Sequence, residues 1–293
     1  MLNNAEEYRM FANDEWRYTP SLIINAGGML ESDAMGYKTF SPRASLNYHL
    51  NRTNTIRLGA SVAHRTPALA EQLGSVLIDI PGVNSPTPVE PEKLLSREIG
   101  YLGEFHDWGT SFDLRIFDDQ LSNGIFPILI LGSSSNWSNG MSGTYEGFEA
   151  TVKHSFGEFS NLTFNFAHEL AYSNIASLPG VSLPIPGQDA LAMSIPKNSI
   201  SLQYALRLYN NFSFSTDYYL QSSMKPFDRN LIDFQPTQHR TDIRISQSFK
   251  GVAGLSGEVS GVVQNLFKTD YTEYVATDLF NRRAFVTLTL HWQ

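Results

Sequence analysis

The sequence predicts an all-β chain whose long antiparallel strands run up and down as a transmembrane β-barrel. Three observations predict it. Apolar and polar residues alternate along most of the chain, as strands with one apolar face require. The connections between the alternating stretches are by turns short and long. The chain is aromatic-rich (12%) and charge-poor (17%) over its 293 residues, yet no run approaches the roughly 20 apolar residues of a membrane helix. The longest apolar run, Ile125 to Leu131, is interrupted by Pro127. A membrane protein with this profile spans lipid with strands, because only helices and closed barrels pair every backbone group there.

Thirteen strands are predicted, at 6–18, 22–34, 41–50, 54–65, 94–105, 110–121, 143–156, 162–172, 198–208, 212–221, 240–249, 255–267 and 282–293. In the fourth, Ile56, Leu58, Ala60 and Val62 oppose Arg57, Gly59, Ser61 and Ala63. In the ninth, Ile200, Leu202, Tyr204 and Leu206 oppose Ser199, Ser201, Gln203 and Ala205. In the last, Ala284, Val286, Leu288, Leu290 and Trp292 alternate with Arg283, Phe285, Thr287, Thr289 and His291. Apolar spacing of three and four residues recurs nowhere, so no helix is predicted. The short connections are 19–21, 51–53, 106–109, 157–161, 209–211 and 250–254; the long ones are 35–40, 66–93, 122–142, 173–197, 222–239 and 268–281. A soluble sandwich has no reason to keep every second loop tight. An outer-membrane barrel has tight periplasmic turns and long outer loops. Strands of this length also exceed those of soluble sheets and match a tilted span of hydrocarbon.

Trp16, Trp108 and Trp292, with Phe105, Phe156, Phe159, Tyr209 and Phe249, fall at the short-turn ends. Such rings favour the headgroup level, apolar at one edge and wet at the other. If the last strand ends in the periplasm, counting back thirteen places Met1 on the outer side. Single-chain bacterial barrels have an even strand number with both ends in the periplasm. The expectation is therefore a chain that begins within a barrel. Met1 to Glu7 (MLNNAEE) is neither basic nor apolar, so no signal peptide is expected there.

The chemistry expected is binding, not catalysis. There is no cysteine, hence no disulfide or thiolate metal site, and a net charge of −8 offers nucleic acid no basic face. His49, His64, His106, His154, His168, His239 and His291 are scattered, with no pair at ligand spacing. Gly257-Glu258-Val259-Ser260-Gly261 has its serine one place late for a nucleophile elbow. Asp118-Asp119 and Glu6-Glu7 read as solvated strand ends. No catalytic, cofactor or metal-binding residue is predicted, and no cofactor.

Four stretches carry a family resemblance. Phe11–Leu30 (FANDEWRYTPSLIINAGGML), Ser41–Pro67 (SPRASLNYHLNRTNTIRLGASVAHRTP), Tyr145–Val152 (YEGFEATV) and the VVQNLFKTDY segment before the final aromatic strand resemble, in order and spacing, the TonB-dependent outer-membrane receptors. The resemblance covers nearly the whole chain. It implies a barrel of twenty-two strands with a plugged lumen, of which residues 1–293 would be the carboxy-terminal thirteen; neither plug domain nor TonB box is recognisable. It further implies the outer membrane of a Gram-negative bacterium as location. The implied activity is uptake of a small nutrient (metal chelate or siderophore, vitamin, or glycan) energised through TonB. Implied partners are membrane lipid and lipopolysaccharide, and the barrel-assembly machinery at the carboxy-terminal strand. The alternative is a self-contained porin or fatty-acid-type channel of twelve to fourteen strands. Ligand residues are unknown at this level. The loop 66–93, with Glu71, Asp79, Glu90 and Glu92 among its prolines, is one candidate segment. The apolar 125–131 is read as a strand rising above the membrane or as a ligand contact.

Overall fold

The computed structural model describes residues 6–33, 35–68, 71, 89–129, 135–175, 190–225, 234–251, 254–272 and 279–292. The strands are β1 (Tyr8–Thr19), β2 (Leu22–Ser32), β3 (Lys38–His49), β4 (Asn54–Arg65), β5 (Glu92–Phe105), β6 (Thr110–Leu129), β7 (Ser135–Ser155), β8 (Ser160–Ile175), β9 (Asn198–Arg207), β10 (Phe212–Gln221), β11 (Gln238–Lys250), β12 (Leu255–Gln264), β13 (Tyr271–Thr272), β14 (Leu279–Phe280) and β15 (Arg283–Trp292). Thirteen form one sheet in chain order, β1 through β12 and then β15, while β13 and β14 make a separate ribbon. This is the up-and-down order that the alternating loops predict. Among the described residues β1 pairs only with β2 and β15 only with β12. None of them forms a helix long and apolar enough to cross a membrane.

The chain divides into two compact units. One comprises Met1–Gly100, Ile116–Gly147 and Leu170–Met193; the other Tyr101–Arg115, Phe148–Glu169 and Ser194–Gln293. In the first, antiparallel register aligns Trp16, Ile24, Leu46 and Leu58 across β1–β4, and Asp14, Ala26, Ala44 and Ala60 beside them. The other face carries Asn13, Arg43 and Ser61, with Arg43 Nη2 donating to Asn13 Oδ1 at 3.0 Å. In the second unit, Phe164, Leu202 and Tyr218 share a row on one face, and Val259 pairs Leu288. The opposite face carries Ser213, Ser215, Asp217, Arg244, Ser246, Glu258 and Ser260. Period-two alternation in the sequence thus becomes two chemically distinct faces, because successive side chains leave a strand on opposite sides.

The tight turns have local causes. The β5–β6 connection is a single 3₁₀ turn, His106–Trp108, closed by Gly109 at φ 59°. A Cβ on Gly109 would lie 2.8 Å from the Ser155 carbonyl oxygen, so both conformation and space require glycine. Between β3 and β4 the Asn51 side chain accepts from the Thr53 backbone N–H at 2.9 Å, an Asx turn. Trp16, Trp108, Trp292 and Tyr209 are exposed at these turn ends.

All thirteen predicted strands are present, and 54–65 and 212–221 coincide end to end. The main correction is the predicted loop 122–142. β6 continues to Leu129 and β7 starts at Ser135. Ile125 and Phe126 are buried there, and Phe126 packs over Gly140. A strand end covered on both sides shows an apolar run instead of alternation, which is why 122–142 falls among the predicted connections although 125–131 is read as a rising strand or a ligand contact. The predicted loop 173–197 holds one helical turn, α1 (Ala190–Ser194), and the loop 268–281 holds the β13–β14 ribbon.

The close β12–β15 pairing is testable. A Cβ on Gly257 would meet the Thr289 carbonyl oxygen at 2.5 Å and Phe249 Cζ at 2.7 Å, whereas nothing lies within 4 Å at Gly261 on the same face. In urea unfolding of the receptor in bilayers, Gly257→Ala is expected to cost about 1–3 kcal/mol. Gly261→Ala should stay within about 0.5 kcal/mol of wild type. Equal costs at the two positions would contradict the pairing.

Candidate functional site

The polar face of the second unit bears an open cavity of about 880 Å³. Register builds it. Asn165 pairs Ser201, Ser201 pairs Tyr219, and Tyr219 pairs Arg240, so one polar row crosses β8, β9, β10 and β11. The next row is Ala167, Ser199, Gln221 and Gln238. All eight line the cavity, joined by Tyr271 of β13 and Met224. Each sits on the polar parity of its strand, so the alternation that directs apolar residues to one face delivers these to the other.

The rows are cross-linked. Thr151 Oγ1 donates to Asn165 Oδ1 at 2.8 Å, and Asn165 Nδ2 donates to Ser201 Oγ at 2.9 Å. Arg240 closes the row. Its guanidinium lies over the Tyr219 ring at 4.9 Å, its Nη1 donates to Tyr271 Oη at 3.2 Å, and its Nη2 meets Asp242 Oδ2 at 3.1 Å. Above the cavity Gln238 Nε2 donates to the Thr272 carbonyl at 2.9 Å, and Thr272 Oγ1 donates to the buried Gln235 at 2.8 Å. Three ion pairs stand along the wall: Arg115 with Glu149 at 3.1 Å, Arg240 with Asp242, and Arg244 with Glu258. Hydroxyls, amides and two tyrosines beside compensated charges can hold a ligand by directional hydrogen bonds and ring contacts. They supply no nucleophile–base pair. Among the described residues no group of three or more His, Cys, Asp or Glu could hold a metal ion.

The segments singled out in the sequence have other places. Glu71 takes both Arg65 terminal nitrogens, at 2.9 and 3.1 Å, and Glu92 pairs with the same guanidinium. Glu92 also accepts from the Ile125 backbone N–H at 2.6 Å. The backbone N–H of Glu90 donates to Asn139 Oδ1 at 2.6 Å. These acids fasten the base of their loop; Asp79 lies outside the described residues. Ile125 and Phe126 are strand residues, and 130–131 are outside the description. Four histidines bond across strands, His49 to Thr55, His64 to Ser41, His154 to Thr110 and His168 to Asn198, at 2.8–3.1 Å. Asp118 faces Arg97 at 3.5 Å, Glu6 accepts from Tyr8 Oη, and Glu7 pairs with Arg9. Sequence reasoning missed the Asn165–Ser201–Tyr219–Arg240 row. Its one signal was polar parity, and only register assembles it.

A family model described as TonB dependent receptor-like, beta-barrel matches residues 3–266. The ferric enterobactin receptor of Pseudomonas aeruginosa, as a point variant, superposes with a TM-score of 0.74 at 15% identity, over 98% of this chain and 45% of that one. The ferripyoverdine receptor of the outer membrane of the same organism gives 0.71 at 13%, over 98% and 38%. The ferric-catecholate import receptor of Escherichia coli K12 gives 0.68 at 15%, over 98% and 44%. At such identities the likeness is one of fold, and the chain spans less than half the length of these structures. No curated protein matches it in sequence. These relatives are transport receptors, not enzymes. With the family model covering far more than half of its residues, the chain belongs to the TonB-dependent receptor-like β-barrel family.

Proposed function

We propose that residues 1–293 form the carboxy-terminal wall of an outer-membrane receptor that imports a small nutrient, with energy delivered through TonB. The observation that carries this is the two-faced sheet. Most register rows in β1–β4, and in β8–β12 with β15, set apolar residues on one face and polar ones on the other. An apolar face suits lipid, with aromatics at the turn ends. The polar face would line the lumen, and its cavity is the candidate ligand contact. Coverage of under half of each similar receptor, together with single-partnered β1 and β15, supports a barrel completed by strands outside these residues. A self-contained channel would instead need a β1–β15 seam, and among the described residues there is none. Further proposed partners are lipid and lipopolysaccharide on the apolar face, and the barrel-assembly machinery at β15. The ligand class is a metal chelate, which is what the similar receptors carry by name, with a vitamin or glycan as the other possibilities.

Two outcomes are expected in cells carrying the whole receptor, with radioiron-labelled ferric enterobactin as probe. Uptake should stop when TonB is deleted; uptake that persists would indicate passive passage and overturn the energised mechanism. Replacing Arg240 and Tyr271 together by alanine should raise the concentration for half-maximal binding about tenfold or more, the loss expected for two directed contacts. Unchanged binding would remove the cavity from the ligand path.

A further inference from the structure

We propose that Asn265 is the positioning residue of this cavity: it holds the turn after β12 so that Asp242 fixes the Arg240 guanidinium between Tyr219 and Tyr271. Asn265 is only 1% exposed and sits at φ 52°, the left-handed region that asparagine tolerates better than other side chains. Its carboxamide is fully used. Oδ1 accepts from the Thr269 backbone N–H at 3.0 Å and lies 3.1 Å from Thr269 Oγ1. Nδ2 donates to the carbonyls of Thr269 at 2.7 Å and Phe280 at 3.4 Å. These bonds fold the turn, and the turn aims the Asn265 backbone N–H at Asp242 Oδ1, 2.9 Å away. The other oxygen of that carboxylate holds Arg240.

A second arm reaches the same arginine. Thr269 Oγ1 spends its one proton on the His239 carbonyl at 2.9 Å, and Leu266 N–H donates to the Thr241 carbonyl at 2.8 Å. The turn is therefore fastened to β11 on both sides of Arg240. The same segment carries Tyr271, which accepts from Arg240 and stacks on Phe280 at 5.2 Å. Asp242 is 8% exposed, so its charge depends on keeping both partners. An arginine held before a ligand arrives spares binding the cost of ordering its side chain. Aspartate at 265 would have no donor for the two carbonyls and would add a carboxylate beside Asp242. Glycine would keep the backbone conformation and lose every carboxamide bond.

The assignment rests on the cavity being the ligand site, but its test needs no ligand. The whole receptor, purified in detergent micelles, is treated with phenylglyoxal, and arginine modification is followed peptide by peptide by mass spectrometry. Asn265→Gly and Asn265→Asp are expected to speed modification of Arg240 about threefold to tenfold, the worth of roughly one net hydrogen bond. Arg17 and Arg207 should react at wild-type rates, and the barrel should keep its heat-modifiable mobility. Asp242→Asn, with Asn265 intact, should speed Arg240 likewise. An Arg240 rate unchanged by both Asn265 variants would overturn the proposal, as would a parallel rise at all three arginines, which marks a merely structural role. Failure of the ligand-site assignment shows separately, as binding of ferric enterobactin that does not change when Arg240 and Tyr271 are replaced.

Discussion

Backbone pairing is the constraint on which this sheet depends, and the outer-membrane location proposed for the chain makes it strict. Hydrocarbon offers no partner to a peptide N–H or C=O, and each one left alone there costs several kcal/mol. Strands that pair on both sides meet the demand, and in doing so fix the side chains at period two. A slip of one residue would bring Asp217, Arg240 and Asp242 to the apolar face. A basic residue at the bilayer midplane costs about 2–4 kcal/mol, so the hydrophobic pattern holds the register firmly. That register, in turn, is what places Asn165, Ser201, Tyr219 and Arg240 in one row. The site is a by-product of the same constraint that makes the wall.

The constraint also explains β1 and β15. Each has one pairing partner among the described residues, and an unpaired edge in hydrocarbon is the arrangement lipid tolerates least. β15 carries Val286, Leu288, Leu290 and Trp292, all exposed, on the face it shares with Gly257 and Val259 of β12. A strand with that apolar row and a free backbone edge is suited to an environment where another strand lies beside it.

Most of the wall was legible in the sequence because its physics is local. Alternation in 54–65 and 212–221 marks those strands to the residue, and Asn51, Gly109 and Asn211 mark the tight turns through their own conformations. Legibility failed where burial ceased to be one-sided. Ile125 and Phe126 are buried, so their apolar run left open whether a strand or a ligand contact stood there and hid where β6 ends. It failed again at the site, whose residues are individually ordinary. Ser201 or Asn165 on a polar parity carries no signal of its own. Glu71 and Glu92 looked like loop acids open to a ligand, but Arg65 at the end of β4 takes both, and sequence distance hides the pair with Glu92.

The N-L-F-x-x-x-Y pattern shows how a short motif can be visible while its purpose is not. The spacing between Asn265 and Tyr271 has a geometric reason once the turn is seen. Asn265 must lie at the end of β12, left-handed and buried, to reach Thr269; Tyr271 must lie two residues beyond Thr269 to reach Arg240. Both meet at β11, one through Asp242 and one directly. The polar wall and the loop above it are thus joined at several points, of which one carboxylate touches both the loop backbone and the arginine. It is held from the loop by a backbone N–H, and it holds the arginine that faces the cavity. Loops of such a barrel are free to vary because lipid does not constrain them, yet a ligand site made partly of loop needs its loop in register with its wall. Asp242, buried and bonded on both oxygens, supplies that registration where the sheet gives way to loop.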